Sequence, residues 1–293
     1  PVEDAALLNL VYLELNALSR AEGAGSPAAM RRWLQLALDL RAEKYEAMPP
    51  ACVAYERGIE LIEGTAFYVQ AKAAGTEAKE NSSAKALLPG SVRIRAYLTG
   101  ALLANLLDRI DGDWKVKLDA KKGIFLDVLA KRALPGDVIP CSYEPEIVAR
   151  EKARAEKAVE DYREAKRSLV GEFLKRPGFR IVVDCPTRPL WPAGFDPMNM
   201  EKVGPAEVLH RRWLKLSGAG AEVEVLGTGA LTEGLDGQPL FHGVRRITIT
   251  GLAGRPEIVR DGEKIRIKTD TVSLAVEAGE LETGDDACLI RLE

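Results

Sequence analysis

Glu56, Glu60 and Glu63 are the residues of this chain whose type and spacing first suggest chemistry. They stand at i, i+4 and i+7 within a stretch, Tyr55 to Val69, that carries helical periodicity, and on a regular helix this spacing lines them along one stripe. Carboxylates stacked in that way repel one another unless water, a cation or a metal compensates. Ile59, Ile62, Ala66, Phe67 and Val69 make the flanking faces apolar, so the stripe is expected at the edge of a core or on the wall of a cleft. Glu56 is expected to be solvated or paired with Arg57 or Lys44. Other candidates offer less. The chain has 2 histidines. They are His210 and His242, both in a strand-rich region where a lone imidazole is ordinarily a core or surface residue. A carboxylate-bridged di-metal bundle needs E-x-x-H on two helices, and no histidine precedes position 210. Cys52, Cys141, Cys185 and Cys288 fit no zinc or C-x-x-C spacing and read as buried thiols, with one or two disulfides of a secreted protein as the alternative. Gly227-Thr228-Gly229 lacks the further glycine and helix of a dinucleotide site and reads as a turn.

The elements that position the glutamates are helices. Residues 3–20 repeat apolar side chains at helical spacing, and Gly23 to Pro27 ends that helix, with Ser26 as cap and Pro27 as first residue of the next. The second helix runs to about Met48, Pro49-Pro50 breaks it, and the third carries the glutamates. Short connections favour antiparallel neighbours. Gly75 to Pro89 is polar and reads as a surface connection, or as a lid if a cleft lies beside it. A fourth helix from Val92 is apolar nearly all round and therefore central. Trp114-Lys115 and a short helix over 124–134 complete the bundle. Residues 145–175 predict a long charged helix with a narrow apolar seam, a strut between two domains or a seam for a homo-oligomer. Beyond Pro177-Gly178 the pattern alternates. Strands are expected at 179–185, 208–216, 222–226, 244–250, 257–259, 264–268, 272–276 and 288–292, with 186–197 a proline-broken loop and Arg260-Asp261-Gly262-Glu263 a hairpin. The fold class is α+β: an all-α region at 1–140, a long linking helix at 141–176, and an antiparallel β-domain at 177–293, a sandwich or small barrel.

The segment Glu63-Gly64-Thr65-Ala66-Phe67-Tyr68-Val69 resembles the E-G-x-A-x-Y-V helix of zinc metallopeptidases of the gluzincin type. In that family two histidines of an H-E-x-x-H helix hold zinc and the glutamate of E-G-x-A completes the site. The resemblance implies Glu63 as a metal ligand, Glu60 as a second carboxylate orienting a ligand histidine, and Tyr97 as a hydrogen-bond donor to a tetrahedral intermediate; packing within its own helix is the plainer role for Tyr97. Tyr97-Leu98-Thr99-Gly100, Trp114-Lys115 and Phe125 to Leu129 also look like the stretches downstream of that helix in bacterial relatives, so the likeness covers about residues 1–135. The chain contains no H-E-x-x-H, and zinc is implied without a complete ligand set. The function this implies is hydrolysis of a peptide or protein at a zinc-bound water, with the histidines and the general base outside these residues, on a segment preceding Pro1 that associates with the chain. The alternative is a scaffold without metal chemistry, a non-catalytic binding or assembly module whose β-domain makes the contacts.

Composition sets outer limits. Across 293 residues, 46% hydrophobic and 29% charged residues suit folded domains rather than a disordered chain. A net charge of −3 gives no electrostatic case for a nucleic-acid partner. No apolar run is long enough to span a membrane. The opening Pro1-Val2-Glu3-Asp4 suggests a processed start; if a signal segment preceded it, the protein is secreted or periplasmic, and otherwise no compartment is indicated.

Overall fold

A computed structural model describes residues 3–75, 87–120, 123–218, 220–235 and 239–292. The expected lid or connection lies mostly at 76–86, outside the described residues. The chain divides into two compact units, Pro1–Arg163 and Glu164–Glu293. The long helix expected at 145–175 is observed at Pro145–Leu174, so the division falls inside it rather than at either end.

The first unit is helical: α1 (Ala5–Glu22), α2 (Pro27–Glu46), α3 (Pro50–Ile59), α4 (Thr65–Ala74), α5 (Val92–Ile110), α6 (Trp114–Ala120), α7 (Leu126–Ala133) and the first part of α8 (Pro145–Leu174). Local chemistry sets the ends. The Asp4 carboxylate accepts from the Ala6 and Leu7 amides at 2.9 and 3.1 Å, and Ser26 Oγ accepts from the Ala29 amide at 3.2 Å ahead of Pro27. Gly75 closes α4 in the left-handed region, φ 64°. As expected, α5 is central: Leu102, Leu103, Leu106 and Leu107 are fully buried, each stabilising by roughly 1.5–3 kcal/mol. The α6 helix was not expected. Trp114, expected to help complete the bundle, is buried with its ring edge-on to Tyr68 and its indole N–H donating to Asp108 at 3.0 Å.

The second unit contains two sheets whose inner faces share one core. Numbered in chain order, with β6 at Ala221–Leu226 and β11 at Val272–Val276, the strands of one follow the order β12-β13-β1-β8-β7-β4-β3 and those of the other β2-β5-β6-β11-β10-β9. In the first sheet β1 (Phe179–Asp184) lies between β8 (Val244–Leu252) and β13 (Ala287–Arg291), parallel to β13, while every other pairing is antiparallel. Three sequence expectations need correction. Residues 208–216 form two strands, β4 (Glu207–His210) and β5 (Trp213–Gly218), because the chain leaves one sheet at Arg211-Arg212 and enters the other. The proline-broken loop contains β2 (Trp191–Phe195), where Pro192 is tolerated because β2 is an edge strand with a register shift. Strands β3 (Met200–Lys202), β7 (Ala230–Gly234) and β12 (Glu280–Thr283) were missed. The expected hairpin is present: Asp261 of β9 (Glu257–Asp261) pairs with Lys264 of β10 (Lys264–Lys268), and Gly262 supplies the positive φ, 62°, of a two-residue turn.

Candidate functional site

The glutamate helix is not regular. Between α3 and α4 the residues Glu60–Gly64 form one π-helical turn, a feature frequent at functional sites. This wider turn delays the rotation of the chain, so the three glutamates do not share a stripe, contrary to the sequence expectation. Glu56 and Glu60 are buried, whereas the Glu63 side chain retains 23% exposure. The irregular turn packs closely across the helix interface. A β-carbon at Gly64 would stand 2.6 Å from Gly100 Cα and 2.8 Å from the Ala96 carbonyl oxygen, and one at Gly100 would stand 2.6 Å from the Glu60 carbonyl oxygen. The two backbones therefore touch. Gly64 and Gly100, both within the segments that carry the family resemblance, are the residues that let them do so.

Beneath the π turn lies a buried ionic network. Arg41 donates two parallel bonds to Glu60, Nη1 to Oε2 at 2.6 Å and Nη2 to Oε1 at 2.7 Å, and its Nε donates to Glu14 at 2.7 Å. Lys44 Nζ donates to Glu14 at 2.7 Å and to Glu56 at 2.6 Å, so Glu56 is paired with Lys44 and not with solvent. Thr99, two residues beyond Tyr97, donates its hydroxyl to Glu60 Oε1. Burial drives the Glu14 carboxyl upward, but Arg41 and Lys44 together outweigh it and hold its pKa below the usual carboxylate value. Burial raises Glu60, the neighbouring Glu56 and Glu14 charges add to it, and Arg41 opposes. The outcome is mechanical: Glu60 ties the π turn to both α2 and α5. It does not face outward toward a metal ligand, since Arg41 and Thr99 occupy its oxygens.

Above the turn, Glu63 meets α5. Tyr97 Oη donates to Glu63 Oε2 at 2.6 Å, and the Arg93 guanidinium donates to Oε1. The Tyr97 hydrogen bond, then that of Arg93, holds the Glu63 carboxyl below its ordinary pKa. Phe67 packs edge-on against the Tyr97 ring, centroids 6.2 Å apart, and fixes it over α4. The structure thus brings together Glu63 and Tyr97, singled out from the sequence, and adds Arg93, which was not. What the residues form is an oriented carboxylate, phenol and guanidinium at a partly exposed position.

The donor set does not hold zinc by itself. Among the described residues no group of three or more His, Cys, Asp or Glu side chains could hold a metal ion, and both oxygens of Glu63 are engaged. His210 is buried on β4 with Nε2 3.2 Å from Thr232 Oγ1, and His242 is exposed in a short turn. All four cysteines are free thiols, and burial pushes Cys185 and Cys288 up to about 11. No family model, curated protein or solved structure matches the chain. The residues that sequence reading missed, Glu14 and Arg41, did leave a signal. Arg41 and Lys44 continue the spacing of Leu34, Ala37 and Leu38, and Glu14 stands between Val11 and Leu18, which are all positions facing the core. Charges of opposite sign in core register on adjacent helices indicate a buried pair.

Proposed function

We propose that the helical unit is a gluzincin-like hydrolase scaffold in which Glu63 and Tyr97 supply the carboxylate and phenol of a peptidase site. The observation that carries this reading is the 2.6 Å hydrogen bond from Tyr97 to Glu63, which joins two residues picked out independently by the motif. The Gly64 and Gly100 contact supports it, because it fixes the spacing of the two helices that carry them. In this role Glu63 is an oriented oxygen donor and Tyr97 keeps a proton directed at it, available to a substrate oxygen that displaces the carboxylate. Metal chemistry would need nitrogen ligands that the described residues do not bring to Glu63, so no step is assigned to zinc. A peptide or protein as substrate follows from the resemblance alone.

The engagement of Glu63 by Arg93 favours a second reading, a non-catalytic module in which the pair closes a surface and the β unit makes the contacts. A peptidase assay separates them. The full chain should hydrolyse a fluorogenic peptide, and both Glu63→Gln and Tyr97→Phe should slow it. An inactive wild type would overturn the hydrolase reading.

A further inference from the structure

The outer face of the six-stranded sheet in the β unit carries one row of side chains that runs straight across every strand. Register places Trp191 opposite Ser217, Ser217 opposite Glu222, Glu222 opposite Ala275, Ala275 opposite Arg266, and Arg266 opposite Val259. Residues that pair in this way project on the same side. The row therefore reads indole, hydroxyl, carboxylate, methyl, guanidinium and isopropyl. Strands lie about 4.8 Å apart, so Glu222 and Arg266 stand roughly 10 Å from one another at the backbone, on either side of the low floor made by Ala275. The space between them is real: a concavity of ≈ 400 Å³ is lined by Ser217, Glu222, Lys264, Arg266, Ala275 and Glu277, among others. That size falls within the roughly 300–1,000 Å³ of small-ligand sites.

Its chemistry narrows the occupant. Neither Glu222 nor Arg266 has a hydrogen bond or ion pair to another described residue, and Lys264 and Glu277 neutralise one another at 3.6 Å. Two carboxylates against two cations give a basin with no net charge, which disfavours phosphate, a polyanion or a metal ion. It offers acceptors on one side and donors on the other, the arrangement that hydroxyl groups, which both donate and accept, satisfy best. Trp191 stands at the end of the row with 50% of its surface exposed. Its edge is braced: a β-carbon at Gly218 would meet Trp191 Cδ1 at 3.4 Å, and one at Gly243 would meet Cζ2 at 3.7 Å. A braced and half-uncovered indole beside a neutral polar basin offers an apolar platform for the C–H face of a sugar ring. On the same face Trp213 lies over Gly194, its indole N–H held by Glu224 at 3.1 Å, at the far side of Lys215 from Ser217.

We infer that this face is a binding site for a neutral oligosaccharide, with one hexose or pentose ring stacked on Trp191 and another, three strands and about 14 Å further along the row, held between Glu222 and Arg266. The inference is independent of any peptidase activity and concerns the β unit alone. The test is calorimetric titration of the full chain with cellohexaose, xylohexaose, mannohexaose and maltohexaose, paired with tryptophan fluorescence. At least one should bind, with affinity reduced roughly threefold to tenfold or more in Trp191→Ala. Glu222→Gln and Arg266→Met should also weaken it, and unchanged near-UV dichroism would confirm that these surface variants fold. The proposal is overturned if none of the four binds at millimolar concentration. It is equally overturned if binding survives all three substitutions, or if an anionic polymer such as heparin binds in place of the neutral sugars.

Discussion

Replacing Gly64 with alanine should destabilise the helical unit, although it sits in a helical stretch where alanine is intrinsically the better residue. Glycine to alanine within a helix normally gains up to about 1 kcal/mol. At position 64 the added methyl would meet the Gly100 Cα at 2.6 Å and the Ala96 carbonyl oxygen at 2.8 Å, and both obstacles are backbone, so no rotamer relieves them. Overpacking of that kind costs typically 1–3 kcal/mol, and contact with backbone places this case at the upper end. The expected net loss is about 2 kcal/mol. Gly58 provides the control. It lies in α3, where an added β-carbon would have nothing within 4 Å, so Gly58→Ala should stabilise by up to about 1 kcal/mol. Urea unfolding of the full chain, followed by far-UV ellipticity, measures both. Opposite signs at the two glycines support the interpretation. A Gly64→Ala variant as stable as wild type would refute the claim that the two backbones touch. Because the separation of the helices also sets the reach from Tyr97 to Glu63, the same variant should raise the Glu63 pKa in a carboxyl NMR titration.

Two further outcomes rest on buried charge. Arg41→Met leaves Glu60 with Thr99 and Glu14 with Lys44 as their remaining hydrogen-bond donors, and should cost about 3–5 kcal/mol in denaturant unfolding. The β unit should lose stability in mild acid through His210. Burial lowers that imidazole from 6.5 to about 4. Between those values the unfolded chain binds a proton that the folded unit does not, so stability is intact above about 6.5 and falls as the pH drops toward 4, by about 3 kcal/mol in all. A difference curve of unfolding midpoints between wild type and His210→Gln should isolate this slope, and a flat difference would contradict it.

How much of this was legible in the sequence depends on the range of the interaction. Capping by Ser26 ahead of Pro27 and the Gly262 turn are local, and that helix start and the hairpin followed from a few residues. The π turn was not legible. It packs on Gly100, far along the chain, and periodicity within Tyr55 to Val69 reads as an unbroken helix. That is why three glutamates expected on one stripe divide into two buried residues and one partly exposed residue. The edge strand β2 was hidden for a similar reason, since Pro192 argues against a strand until its partner β5 and its place at the sheet margin are known. Of the site itself, Glu63 and Tyr97 were visible as types. Arg93 was not, because an arginine near a helix start carries no local sign of its partner.

The parallel pairing of β1 with β13 joins Arg180 to Ala287, a sequence separation of 107 residues. During synthesis the strand that opens the β unit must wait with one flank bare until nearly the whole unit has left the ribosome. Closing so long a loop for a middle position in a sheet makes slow assembly the expectation, since entropy is lost before the late strand rewards it. Ile181 and Val183 would meanwhile sit on an open ladder that invites other chains. Loss of the final strand should therefore be felt first as poor yield and aggregation.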